Sequence, residues 1–206
     1  NINDIVSEYL ASPEHEQLRQ HHPAVAVETA LQPGLANIQG SSVHLKKTVM
    51  NLVSNAAEAH EGAGVIRIST QNRRVDRPID GCDAARTGEF VALQVADEGT
   101  GISEEDFKRI FEPFYTKKVM GRSGTGLGMA VVWGTVQDHD GFIHIESAKN
   151  RGTTITVYLP ATGDALAPSG GPSDLANWRG AGESILVVDD VAEQREIAAG
   201  MLEKLG

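Results

Sequence analysis

Hydrophobic and polar residues alternate with two different periods along this chain, and the changes of period mark out its elements. Positions 24–31 alternate small apolar and polar side chains, the pattern of a strand, and Pro33-Gly34 supplies the turn that ends it. Between 42 and 60 the spacing becomes helical: Leu45, Val49, Leu52, Val53 and Ala56 fall on one face, a serine stands at the N-cap, and Gly62 and Gly64 close the segment. Period two returns at 65–70 and again at 90–96, and the polar stretch 72–88 between them reads as a long hairpin connection. A second helix is predicted over 127–138. A strand pair, 142–146 and 153–159, follows around Asn150-Arg151-Gly152, with Pro160 as the end of the domain. Residues 1–20 read as a helical or irregular lead-in interrupted by Pro13, and the chain shows no internal repeat.

A length of 206 residues accommodates one complete domain plus fragments. Residues 161–182, with Pro168, Gly170, Gly171, Pro172 and Gly180, have linker composition, and a new strand-to-helix unit starts at Ser184. With 40% hydrophobic and 22% charged residues the chain has the makings of a folded core. Its formal charge of −10 and the lack of a basic stripe argue against nucleic acid as a partner, whereas a nucleotide carrying Mg²⁺ remains compatible. Cys82 is the single cysteine, so neither an internal disulfide nor a cysteine zinc site is available, which suits a reducing, cytoplasmic setting. No apolar run approaches the roughly 20 residues that span a bilayer, and Asn1-Ile2-Asn3-Asp4 lacks a signal-peptide pattern. The expectation is a soluble piece without direct membrane contact, whose longer parent is free to carry an anchor.

Four stretches carry candidate chemistry. Asn51 and Asn55, four apart on the predicted helix, share a face, and an amide oxygen is a fitting Mg²⁺ ligand when phosphates supply the negative charge. Asp97-Glu98-Gly99-Thr100-Gly101-Ile102 follows a strand directly: a carboxylate there can accept from an exocyclic amine while Gly99 and Gly101 let backbone approach a flat base. Gly124-Thr125-Gly126-Leu127-Gly128 opens a helix whose free amides suit phosphate, with a spacing that matches neither the Walker nor the dinucleotide pattern. Between these lies 107–122, with Phe111-Glu112-Pro113-Phe114-Tyr115-Thr116-Lys117-Lys118, which reads as a lid docked by aromatics and reaching phosphate through Lys117, Lys118 and Arg122. Each stretch alone also suits a bland role: solvated asparagines, an acidic turn, a flexible glycine loop, an exposed basic face. Their order is what discriminates.

That order, closed by Arg151-Gly152-Thr153-Thr154, resembles the N, first glycine, F, second glycine and final Gly-Thr boxes of sensor histidine kinases, over about 25–160. The resemblance implies an α/β two-layer sandwich, a mixed β-sheet covered by helices known as the Bergerat fold. It implies ATP and Mg²⁺ as cofactors, with Asn55 the principal Mg²⁺ ligand, Asn51 its support and Asp97 the adenine reader. Gly99, Gly101 and Ile102 would shape the base pocket, with Thr153 near the adenine. Gly124, Thr125, Gly126, Leu127 and Gly128 would form the phosphate loop, and Phe114, Thr116, Lys117, Lys118 and Arg122 the lid. One position departs: many such kinases place Lys where this chain has Glu58, as nitrogen-regulation-type kinases do, so Glu58 belongs to the site without an evident phosphate contact.

The resemblance divides the chain into 1–23, a lead-in from a dimerisation and phosphoacceptor region, a catalytic domain at 24–160, a linker at 161–182 and a receiver fragment at 183–206. Ser184-Ile185-Leu186-Val187-Val188-Asp189-Asp190 looks like the first strand of a doubly wound response-regulator receiver, whose acidic pair Asp189 and Asp190 holds Mg²⁺ when the domain is complete. The implied reaction is γ-phosphoryl donation from ATP to a histidine on a dimerisation domain of the same, homodimeric parent, with a receiver domain or response regulator as the next partner. No acceptor histidine is expected here: His15-Glu16 lies beside Pro13 outside a helical pattern, and His15, His21, His22 and His44 are expected to face solvent. Two alternatives stay open, a gyrase- or mismatch-repair-type ATPase and a non-catalytic scaffold. The ATPases use a glutamate to activate water where this helix presents Asn51, whose amide accepts no proton.

Overall fold

The computed structural model describes residues 1–77, 86–116, 125–164, 184–188, 190 and 192–203. The chain divides into two compact units, Asn1–Asp164 and Ala165–Gly206.

The first unit opens with two short helices, α1 (Ile2–Leu10) and α2 (Pro13–His21). Pro13 does not interrupt a helix; it starts one, with Ser12 as N-cap, because the first helical position asks for no backbone donor. Then come β1 (Val25–Leu31), β2 (Asn37–Ile38), α3 (Ser42–Glu58), β3 (Gly64–Val75), β4 (Gly88–Asp97), α4 (Glu104–Phe107), α5 (Gly128–Asp138), β5 (Phe142–Ser147) and β6 (Thr153–Thr162). The sheet is mixed. β1 runs parallel to β3, β3 antiparallel to β4 and β4 antiparallel to β6, while β5 and β2 share the far side of β6.

Alternation along the strands divides the sheet into two faces. Ile66, Ile68, Val91, Leu93, Val95, Ile155, Val157 and Leu159 point to the face that α1, α3 and α5 cover, forming the main core with Leu45, Val49, Leu52, Val53 and Ala56 of α3. The apolar face read from the sequence is thus the buried one. On β4, β5 and β6 the intervening positions Phe90, Phe142 and Tyr158 make a smaller aromatic cluster, with the last two rings stacked at 4.5 Å.

Four further expectations need correcting. The strands on either side of the polar stretch 72–88 run further than predicted, to Val75 and from Gly88, and pair there. This part of the hairpin places Asn72, Arg73 and Arg74 in solvent, and Arg74 pairs with Glu89 at 3.4 Å, so hydrophobic alternation fades while the ladder continues. Pro160 does not end the domain. It falls between the last pairing of β6 with β5 at Tyr158 and the first with β2 at Ala161, a gap that asks for no ladder hydrogen bond on that side. His15 is buried rather than solvent-facing: it lies on the face of α2 turned to α1, its ring edge-on to Tyr9 at 5.3 Å. The second unit contains α6 (Ala192–Glu203), as expected, but residues 184–188 form no strand, and Ile185, Leu186 and Val188 are exposed. A receiver's first strand is held by neighbours on both sides, and no described residue pairs with this segment.

Among the described residues, no helix is long and apolar enough to cross a membrane.

Candidate functional site

The site is built from the inner ends of α3, β4 and β6 and the start of α5. Helical spacing on α3 turns Asn51 and Asn55 to one side while Leu52, Val53 and Ala56 lock the helix into the core. The Asn51 amide donates to the Gly128 carbonyl at 3.3 Å, joining α3 to the first turn of α5. Gly128 lies against both amides: a Cβ there would meet Asn51 Oδ1 at 3.6 Å and Asn55 Nδ2 at 3.8 Å. Leu127, at the N-cap of α5, provides no side-chain cap, so the first amides of that helix remain open to an acceptor from elsewhere.

Asp97 ends β4 with its side chain half-buried. Its carboxylate accepts from Gly99 N–H at 2.8 Å and from the Thr153 backbone. Burial pushes the Asp97 carboxyl above the ordinary carboxylate range, while these bonds and the nearby His60 pull the other way. The turn after Asp97 is fixed by backbone on several sides: Thr100 N–H donates to the Ala59 carbonyl at 3.0 Å, and Asn150 N–H to the Thr100 carbonyl at 2.7 Å. Ile102 N–H donates to Ser147 Oγ at 2.8 Å, and Ser147 in turn donates to the Gly152 carbonyl at 3.0 Å. Gly101 sits at φ +67°, and a Cβ would stand 2.1 Å from the Ala148 carbonyl oxygen, so both conformation and space demand glycine.

On the opposite side, Ser103 caps α4, and the Asp106 carboxylate accepts from Ser103 Oγ and from the Tyr115 hydroxyl. The Arg109 guanidinium lies 4.2 Å over the Tyr115 ring. Ile110 and Phe111 pack on the main core. Phe114 takes φ +65° and donates its N–H to the Gly126 carbonyl at 3.0 Å, while Gly126, at φ +68°, leaves room for the Phe114 backbone.

Together these elements surround a cavity of about 400 Å³. Asn51, Asn55, Glu58, Asp97, Gly101, Ile102, Thr116, Thr125, Gly126, Gly128 and Thr153, all singled out in the sequence, line it. Gly99, Phe114 and Leu127 do not: Gly99 acts through its N–H on Asp97, and the Phe114 ring is 74% exposed, so its backbone alone engages the glycine loop. Lys117, Lys118, Arg122, Gly124 and Asp189 lie outside the described residues, and Asp190 belongs to the second unit. Sequence reasoning missed Ser54, Asp106, Ile110, Tyr115, Met129 and Ile155 as parts of the wall. Ser54 carried a signal, since it lies one turn before Glu58 and donates to it at 3.3 Å. Glu58 therefore offers the cavity a carboxylate held by a hydroxyl rather than a phosphate-seeking cation.

A model of the family described as "Histidine kinase-, DNA gyrase B-, and HSP90-like ATPase" matches residues 40–163, the stretch that contains every cavity-lining residue just named. The chain belongs to this family. Within it, the similarity points to the ATP-binding catalytic domain of sensor histidine kinases. Sporulation kinase B of Bacillus subtilis (strain 168) is 33% identical over 142 residues, covering 68% of this chain and 29% of that protein. Sensor histidine kinase ZraS of Klebsiella oxytoca is 36% identical over 140 residues, covering 68% of this chain and 27% of that protein. The chain thus spans less than a third of the length of either relative. Among solved structures, a nucleotide-free catalytic domain of histidine kinase ThkA superposes with a TM-score of 0.60 at 26% identity, over 79% of this chain and 95% of that one. The family likeness bears out the α/β sandwich with a mixed sheet and the ATP-binding function.

Proposed function

We propose that the cavity holds ATP with Mg²⁺, and that the parent protein passes the γ-phosphoryl group to a histidine on its own dimerisation domain. The observation that carries this reading is convergence: Asp97 and the Asn51 and Asn55 amides come from separate elements yet line one cavity of about 400 Å³. Asp97 takes the exocyclic amine of adenine, with Gly101 and Ile102 bordering the base and Thr153 beside it. The residues fit a phosphate-bound metal as well, because two neutral amides lie together beside Gly128 at the uncapped start of α5. Asn55 is the principal Mg²⁺ ligand in this reading and Asn51, tied to Gly128, supports it. Bound there, Mg²⁺ would neutralise charge on the phosphate oxygens. The chain's own part is to orient the triphosphate and exclude water.

Asn51 offers no basic lone pair, so transfer to a protein imidazole is favoured over hydrolysis. His15 is not the acceptor, since its ring is buried against Tyr9 of α1. Ser184 onwards, an apolar run ending in Asp189 and Asp190 and followed by α6, is read as the opening unit of a receiver whose acidic pair would hold Mg²⁺ in a complete domain.

Two measurements test the proposal. Calorimetric titration with Mg·ADP should show saturable one-to-one binding that weakens when Mg²⁺ is chelated, and its failure removes the nucleotide reading. Incubation with γ-labelled ATP should label the chain weakly by itself and label an added histidine-bearing dimerisation domain strongly. Rapid phosphate release without labelling would favour an ATPase.

A further inference from the structure

Tyr115 lines the cavity, half-buried, and is held on several sides. Its hydroxyl donates to the Asp106 carboxylate, its N–H donates to the Glu112 carbonyl at 3.2 Å, and the Arg109 guanidinium covers its ring at 4.2 Å. Asp106 is itself held. Its other carboxylate oxygen accepts from Ser103 Oγ, and its N–H donates to that same hydroxyl at 3.3 Å. Ser103 follows Ile102, whose N–H is anchored on Ser147 in the turn after Asp97. The residue before Tyr115 is Phe114, at φ +65°, a conformation that a bulky residue keeps only where its flanks are secured. On one flank stands Pro113, which has no N–H to give; on the other, Tyr115 is tied to Asp106. Phe114 N–H in turn donates to the Gly126 carbonyl at 3.0 Å, in the glycine stretch that leads into α5.

We propose that Asp106 is a positioning residue for the phosphate half of the site: by holding the Tyr115 hydroxyl it keeps Phe114 in its left-handed turn, and so sets where the Gly126 backbone stands against a phosphate. The inference rests on reading the cavity as a nucleotide site. The route is continuous, from Ser147 to Ile102, from Ser103 to Asp106, from Asp106 to Tyr115 and from Phe114 to Gly126. It joins a turn fixed by backbone on several sides to a loop with fewer bonds of its own. It also accounts for an acidic side chain in the wall of an anion site. A bare carboxylate there would repel phosphates, but the hydroxyls of Ser103 and Tyr115 draw the charge of Asp106 toward the protein.

The test compares Mg·ADP with adenosine, by calorimetry, on the 206-residue chain, on Tyr115→Phe, on Asp106→Ala and on the double variant. Tyr115→Phe keeps the ring and the carboxylate and removes the bond between them. It should weaken Mg·ADP about fivefold to tenfold, the worth of one hydrogen bond, and adenosine by less than about twofold. In the Asp106→Ala background the same change should cost nothing further, because the acceptor is already gone. Native affinity in Tyr115→Phe, equal losses for the two ligands, or the same loss in both backgrounds overturns the proposal. Failure of the native chain to bind either ligand overturns the nucleotide reading instead. Hydrogen exchange without nucleotide gives an independent readout: Phe114 N–H should exchange faster in Tyr115→Phe, while Thr100 N–H and Ile102 N–H keep their protection. Unchanged exchange at Phe114 overturns the proposal whatever the binding data show, and it is read on Tyr115→Phe even where Asp106→Ala does not fold.

Discussion

The two ends of the cavity are built differently. At the end proposed for the base, α3, the turn after Asp97 and the β5–β6 connection are locked to each other by Thr100 N–H to Ala59, Asn150 N–H to Thr100 and Ile102 N–H to Ser147. At the end proposed for the phosphates, the described residues are linked by Phe114 N–H to Gly126 and by the Asn51 amide to Gly128, and α5 begins with no side-chain cap. The contrast suits the tasks proposed for them. A flat base is recognised by a preformed slot, where rigidity lowers the ordering cost of binding. Phosphates are recognised by donors that have not been spent on the protein itself.

The comparison is broken most severely by Gly101→Val. Its Cβ would collide with the Ala148 carbonyl at a φ that β-branched residues avoid, so we expect a loss of roughly 3 kcal/mol or more and a thermal midpoint lower by about 10 °C. A midpoint within a degree of the native one would show that the base turn is not locked. Gly126→Ala meets the Phe114 backbone instead, and should lower the midpoint less while weakening Mg·ADP more than it weakens adenosine. Asp97→Ala should cost about 1–3 kcal/mol of Mg·ADP affinity by calorimetry, because the base amine loses its buried acceptor. Asn55→Ala should cost on the order of 1 kcal/mol, and only when Mg²⁺ is present. An equal loss in chelator would assign that amide to the protein rather than to the metal.

The smallest effect concerns Asp97 without ligand. Burial raises its carboxyl, so the folded state holds the Asp97 proton more tightly than the unfolded chain does. The associated stability is present below the unfolded carboxyl's titration and is lost as the pH rises through the folded one. Asp97→Asn keeps an acceptor for Gly99 N–H and sheds the buried charge, so its thermal midpoint at neutral pH should rise while its nucleotide affinity falls. A lower midpoint would mean that the hydrogen bonds to the carboxylate outweigh its desolvation.

What could be read from the amino acids follows from how local each feature is. The 17 residues of α3 show their buried face because helix period and core contact coincide over its whole length. Asp97, Gly101 and Gly128 were legible because turn and helix-start chemistry is tied to short motifs. The outer half of the β3–β4 hairpin was not, since Asn72, Arg73 and Arg74 run exposed one after another and Val75 alone turns inward before the turn, which leaves no alternation to read. β2 is two residues long, too short for any period. Asp106 and Tyr115 meet across nine positions of aperiodic chain, and His15 is hidden by a packing of α2 against α1 that no local pattern encodes. Glu58 was legible as a departure, but its bond from Ser54 shows what that departure does.

The parallel pairing of β1 with β3 has a bearing on how such a site can change. The segment that carries the chain from one strand to the other includes α3 itself, so the helix presenting both asparagines is also the strap that brings two strands into register. Unwinding it would part the sheet at its border. Drift in ligand preference is therefore channelled into loops, while the amides stay fixed for reasons of assembly as much as of chemistry.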